Sequence, residues 1–368
     1  MSDTESDSTE EGKVDVPKTK SRAAYIVWVV GVLLSVGFTL LIWYLGPLLD
    51  RFVPLPDQGS DWYFWQLPER GFFTMLIVWT LYLAHQFSLW ATIHWGRQNL
   101  KTLRITPTSG LTRYNYGAIG LNVVFVILHL VQTHIWYDGL AQDVPIWTSQ
   151  GSVIVMLAVL LVMENPVRGF FLGKRAGKPF TARVSGFFRR NHSYIFSWAL
   201  VYTFWFHPAT YDPQLLTGFL YMMLLFVQIS LAYTKVHLDR RWTVFLEAAV
   251  APHAVVVAIF NTQFFGSANL WPMFLSGFLF LFVFTYMYAF RLRVDLRIGV
   301  TSLYLAFLAW LYLPGPIGYA RDLEYLFRLE FLWIPLALYA LACLFAGLAY
   351  LYLRLREPVD QQVYASTV

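Results

Sequence analysis

Ten long apolar runs constrain this chain more than any motif it contains. They cover 24–48, 71–95, 116–136, 150–170, 192–210, 214–236, 243–263, 270–290, 298–315 and 331–353. A helix needs roughly 20 mostly apolar residues to cross the hydrocarbon of a bilayer. Strands of a transmembrane barrel would instead alternate apolar and polar positions over about ten residues. A helix also satisfies its own backbone hydrogen bonds in lipid, which an open strand does not. The sequence therefore predicts an all-α, polytopic integral membrane bundle of about ten spans joined by small loops. Its composition excludes the soluble class: 57% of residues are hydrophobic and 13% charged, with a mean hydropathy of +0.51, whereas soluble domains carry about a quarter charged residues. The single cysteine, Cys343, excludes an intrachain disulfide and a cysteine-ligated cluster.

The connections give an orientation. If the N-terminus is cytoplasmic, one side holds the tail, residues 96–115, 171–191, 235–242 and 291–297, and the C-terminus. With Arg168, that side carries 23 of the 27 Lys and Arg, and the other side has only Arg51, Arg70, Arg321 and Arg328. Lys and Arg concentrate on the cytoplasmic side of membrane proteins. The split therefore predicts a cytoplasmic (inner) membrane protein with both ends inside, and it supports an even number of spans. Residues 1–23 form an expected disordered tail, acidic at Asp3, Glu5, Asp7, Glu10 and Glu11, then basic at Lys18, Lys20 and Arg22. The apolar run after it is too long for a signal peptide. Residues 24–354 form the membrane domain and 355–368 a short cytoplasmic tail. The basic residues are spread along one membrane face, which suits anionic lipid headgroups and gives no sign of nucleic acid. Trp62, Tyr63, Phe64 and Trp65 in the outer connection 49–70 read as interfacial anchors.

Polar residues inside a bilayer are costly and mark function, and nearly all eight histidines fall in or at the ends of the runs. His94, His192 and His237 lie near the cytoplasmic face with Glu164, Arg168 and Glu247. His85, His129 and His253 lie mid-membrane, and His134 and His207 near the outer face. His192 and His207 are fifteen residues apart on the fifth run, which is roughly 22 Å along a helix and within roughly 60° of one face. A helix that holds two stacked b-type haems places one axial histidine near each leaflet in this way. His134 is at the depth of an outer partner, and His94 or His237 at that of an inner one. The spacing is similar to that in ferric-reductase-like and cytochrome b proteins. That likeness is an analogy of layout; it implies a membrane oxidoreductase or electron carrier. The chain departs from it in having no second helix with two widely spaced histidines, and a cytosolic electron donor would be a separate protein.

Two other functions fit the same residues. A transporter or channel would use His85, His129, His253 and Glu247 as a polar path, with Pro252 kinking the seventh run beside His253. A non-haem iron or zinc enzyme acting on lipid would gather His94, His192, His237 and Glu164, with mixed His and carboxylate ligation. For Glu164 itself, four residues before Arg168, a structural ion pair along one helix face is the favoured expectation. His85, His129, His253, Glu164 and Glu247 are the candidate metal ligands. Substrate and oligomeric state are not legible in the sequence.

Overall fold

Side-chain caps start several of the helices. Thr112 caps one of them through a box in which its hydroxyl accepts from the Asn115 N–H, while Asn115 Oδ1 accepts from the Thr112 N–H at 2.7 Å. Thr181, Asp212 and Asp239 place a side-chain oxygen on the first backbone N–H groups of three others, which would otherwise lack partners. The structure, a computed structural model, describes residues 22–55, 65–260, 270–315, 318 and 321–356. Its helices are α1 (Ala23–Leu45), α2 (Phe72–Asn99), α3 (Arg113–Trp136), α4 (Trp147–Arg168), α5 (Ala182–Phe206), α6 (Pro213–Ser230), α7 (Arg240–Phe260), α8 (Trp271–Phe284), α9 (Val294–Tyr312), the short α10 (Leu323–Phe327) and α11 (Trp333–Leu355). The only strand-like pairings among the described residues are two isolated bridges, Thr108 with Thr234 and Phe171 with Lys174.

Nine of the described helices are long and apolar enough to cross a membrane, so the chain is an all-helical, multi-pass membrane bundle. The other long helix is α5. It begins ten residues before the expected start at 192, and its opening turns carry Arg183, Arg189 and Arg190. The Thr181 cap starts the helix there. All three arginines are exposed. The predicted sixth and eighth runs are shorter as helices, because each ends in a tight turn before the basic connection that follows.

α5 is central, packing against α2, α4, α6 and α11. On one side it closes an apolar core with α2, α3 and α6. On the other, its first turns join a second core built by α4, α7, α8 and α11. α1 lies outside α6, and α9 outside α8. The burial pattern is the reverse of a soluble protein's. Leu33, Tyr44 and Leu303 are 65%, 73% and 72% exposed, while His85 and Asn115 are 0% exposed. Such an apolar surface is far larger than a soluble monomer presents. The N- and C-terminal tails and the aromatics Trp62, Tyr63 and Phe64 lie outside the described residues.

α4 and α5 meet at a proline. Pro166 lacks the N–H that would bond the Val162 carbonyl one turn earlier. Ser185 Oγ of α5 donates to that carbonyl at 3.0 Å, and Arg189 Nε donates to the Met163 carbonyl at 3.0 Å. Beyond α4 the chain turns sharply at Gly169, whose φ is +81° and where a Cβ would lie 2.4 Å from the Gly173 carbonyl carbon. Asn165 Oδ1 accepts from the Ala176 N–H and holds this turn in place.

Candidate functional site

α3 presents Asn115, Asn122 and His129 at seven-residue intervals, so they lie on one face. That face points into the core shared with α2, α5 and α6, and it assembles a column of buried polar groups. At its basic end, Asn115 Nδ2 donates to the Ser230 and Ala232 carbonyls, both at 2.8 Å. One level further, Asn122 Nδ2 donates to Ser230 Oγ at 2.9 Å, and Asn122 Oδ1 lies 3.0 Å from His85 Nε2. The Trp205 indole N–H donates to His85 Nδ1 at 3.2 Å. An indole only donates, so Nδ1 is the acceptor and the ring proton sits on Nε2. His85 is thus a neutral bridge in a directed chain from Trp205 to Ser230, stacked on Phe125 at 4.5 Å between ring centres.

His129 is bound differently. Its Nε2 lies 3.0 Å from the His207 carbonyl oxygen and its Nδ1 lies 3.2 Å from Gln132 Oε1. Gln132 Nε2 donates to the Asp138 carbonyl at 3.1 Å, which fixes the amide with its oxygen toward the ring. Both ring nitrogens therefore face oxygens that only accept. A neutral imidazole has one N–H and leaves one of these contacts unmet; an imidazolium satisfies both. Turning the amide over would only move the mismatch to the Asp138 carbonyl. The rings of Trp205, Phe204 and Phe219 surround His129 at 4.6, 4.7 and 5.7 Å between ring centres. The loop after α3 comes this close because residue 139 is glycine: a Cβ there would lie 2.3 Å from the Phe206 carbonyl oxygen.

The column ends in charge. Arg70 Nε pairs with Asp138 Oδ2 at 2.7 Å, its Nη1 reaches Asp143, and the Trp79 N–H donates to Asp143 at 2.6 Å. Burial pushes the Asp138 carboxyl above its usual range, against the pull of Arg70 and the Gly139 N–H. Gln86, beside His85 in sequence, is buried, and its amide makes no hydrogen bond to the described residues. A buried amide in that position requires a polar partner such as water or a polar solute.

His134 and His207, expected from the sequence as an outer pair, each make contacts of their own. α5 ends at Phe206, and His207 is extended at φ −108° and ψ 148°, so the fifteen-residue helical phase does not apply to it. Its ring lies against Trp65 and Phe206. His134 turns to its own helix and to α1, with Nδ1 2.8 Å from the Leu130 carbonyl and Nε2 3.4 Å from that of Leu45. It is His129 that meets His207. At the basic face, His192 and His237 do come together, with ring centres 6.3 Å apart. Each Nδ1 faces a carbonyl, that of Arg189 at 2.8 Å and that of Gln228 at 2.9 Å. In a neutral ring, His237 then carries its lone pair on Nε2. Burial holds His237 below the ordinary value of 6.5. His94 is exposed, with Nδ1 3.5 Å from the Tyr194 hydroxyl.

The carboxylates go elsewhere. Glu247 on α7 pairs with Arg168 on α4, both buried, and the guanidinium lies 4.7 Å over the Tyr286 ring. Glu164 pairs with Arg189 of α5 at 3.7 Å. The expected pairing of Glu164 with Arg168 along one helix is therefore corrected: both ion pairs join different helices, because α5 and α7 bring closer partners. His253 Nδ1 lies 3.0 Å from Thr217 Oγ1 of α6 and packs over Gly218, where a Cβ would lie 3.0 Å from its ring. Among the described residues, no group of three or more His, Cys, Asp or Glu could hold a metal ion.

Asn122, Gln132, Ser230, Trp205 and Asp138 were not singled out by the sequence reading. The heptad of Asn115, Asn122 and His129 was the signal that could have found the column. The chain has no match among protein-family models, curated proteins or solved structures.

Proposed function

We propose that the protein is a proton-coupled transporter of the cytoplasmic membrane, with His129 as its proton-binding residue. The observation that carries this reading is the pair of acceptors facing the His129 ring. Desolvation opposes a charge on the ring, while two acceptors favour it. A group that takes up and releases a proton during a transport cycle needs such opposed demands. Ten spans with both ends inside accompany this reading. The placement of 23 of 27 Lys and Arg on one side supports it, as do the local acceptors that hold Arg51, Arg70, Arg321 and Arg328 on the other.

The test uses Trp205 as a reporter, since its ring lies 4.6 Å from His129. In proteoliposomes, the fluorescence lost in Trp205→Phe is expected to titrate with pH in the parent protein and to stop titrating in His129→Gln. Proton entry driven by an imposed potential is expected to fall at least severalfold in the same variant. A pH-independent Trp205 signal, with proton entry equal to that of protein-free vesicles, refutes the reading.

A second reading is a b-type haem electron carrier, or a metal site, at His192 and His237, served by a separate cytosolic electron donor. Its support is the approach of the two rings and the Nδ1 contacts. Metal-bound histidines usually donate their other N–H to a carbonyl or carboxylate in this way. The reduced-minus-oxidised spectrum of protein made in haem-replete cells, with iron and zinc analysis, decides it. Absence of haem bands and of stoichiometric metal removes this reading and leaves the first untouched.

A further inference from the structure

A groove of 480 Å³ lies between α4, α5 and α11, and all ten of its lining residues are apolar or aromatic, Val155, Trp198, Phe345 and Leu348 among them. It opens on the bilayer-facing surface, where Leu348 is 56% and Tyr352 43% exposed. Along α5 it runs from Phe187 to Trp198, roughly 16 Å at the helical rise. That is about half of the ~30 Å hydrocarbon core, the depth of one leaflet.

One end of the groove is strongly basic. Arg183 Nη2 donates to the Leu353 carbonyl at 3.4 Å, which ties the start of α5 to the end of α11. The Phe187 and Tyr352 rings lie 5.9 Å apart at this end, and the Arg356 guanidinium sits 4.8 Å over the Tyr352 ring. The helix ends that meet here also carry Arg190 and Arg354. A leaflet-deep apolar slot with a cationic mouth at headgroup level matches one molecule in chemistry and length.

We infer that this groove is a specific site for an anionic glycerophospholipid, whose acyl chain fills the slot and whose phosphate faces Arg183 and Arg356. The site is independent of the proton reading, since none of its residues belongs to the His129 column. The lipid would brace α5 against α11 on the face away from that column.

Native mass spectrometry of the purified full chain, with phosphatidylglycerol or phosphatidylcholine added in equal amounts, tests the assignment. One or two lipids retained with a roughly tenfold preference for phosphatidylglycerol are expected, given about fivefold for each of two well-placed basic residues as an upper scale. Arg183→Gln with Arg356→Gln should remove the preference while keeping a bound lipid. Leu348→Trp, which fills the slot from its exposed side, should lower retention of both lipids severalfold. Thermal unfolding in phosphatidylcholine micelles checks that each variant is folded. Equal retention of the two lipids by the parent protein overturns the proposal. So does phosphatidylglycerol retention unchanged in a folded Leu348→Trp, which would mark annular lipid only.

Discussion

His85 and His129 sit on neighbouring helices with the Trp205 indole in contact with both rings. The indole N–H fixes His85 as a neutral bridge, and carbonyl oxygens on both sides of His129 ask for a second proton. Identical side chains therefore take different roles because of the donors and acceptors that packing sets beside them. The Arg168–Glu247 pair obeys the same logic with full charges. A buried pair is close to neutral in net stability, but removing one partner leaves an uncompensated charge costing about 3–5 kcal/mol. Glu247→Leu is therefore expected to lower thermal stability in detergent by that order, and the double variant with Arg168→Met to recover most of it. His237 gives a pH dependence with a definite sign. Its folded value is held below 6.5 by burial, so the unfolded chain binds the proton more readily. Stability is full above about 6.5 and is lost as the pH falls through and below that value. Melting temperature should drop between pH 7.5 and 5.5, with a smaller drop in His237→Gln.

At the scale of elements, α5 shows where apolar patterning stops being informative. Three arginines in its opening turns hid about ten residues of helix from a search for apolar runs, because lipid-exposed length and helical length are set by different things. The Thr181 cap fixes the start, and contacts with α4 hold the charged turns in place. The Pro166 junction is the sharpest of these contacts. Ser185→Ala leaves the Val162 carbonyl unsatisfied, at a cost of about 1–3 kcal/mol. In a Pro166→Ala background, the residue at 166 regains its N–H and can bond that carbonyl itself. The Ser185→Ala penalty should therefore shrink there, and unfolding of the four proteins as a double-mutant cycle measures the coupling. Glu164 shows the complementary limit: its spacing from Arg168 was compatible with a pair, yet Arg189 and Glu247 on other helices are the partners found.

Across the whole molecule, charge asymmetry gives a two-sided prediction. In a Cys343→Ser background, Lys101→Cys and Lys174→Cys, both at exposed positions, should react with an impermeant maleimide from one side of sealed vesicles only. Glu324→Cys, also exposed, should react from the other side only. Labelling of Lys101→Cys and Glu324→Cys from the same side would break the proposed topology. The sequence by itself determined the helical membrane class and the approximate position of the apolar helices. These follow from transfer of side chains and backbone into lipid, a property of composition over about twenty residues. Which polar groups meet was decided only by tertiary structure. His129 with the His207 carbonyl, His192 with His237 and Glu247 with Arg168 are contacts between segments distant in sequence. In an apolar bundle many helix rotations bury similar area, so packing of small residues and the need to satisfy each buried polar group select one of them. That selection, and with it the pair of oxygens facing the His129 ring, leaves only a faint trace in the linear pattern, the seven-residue stripe on α3.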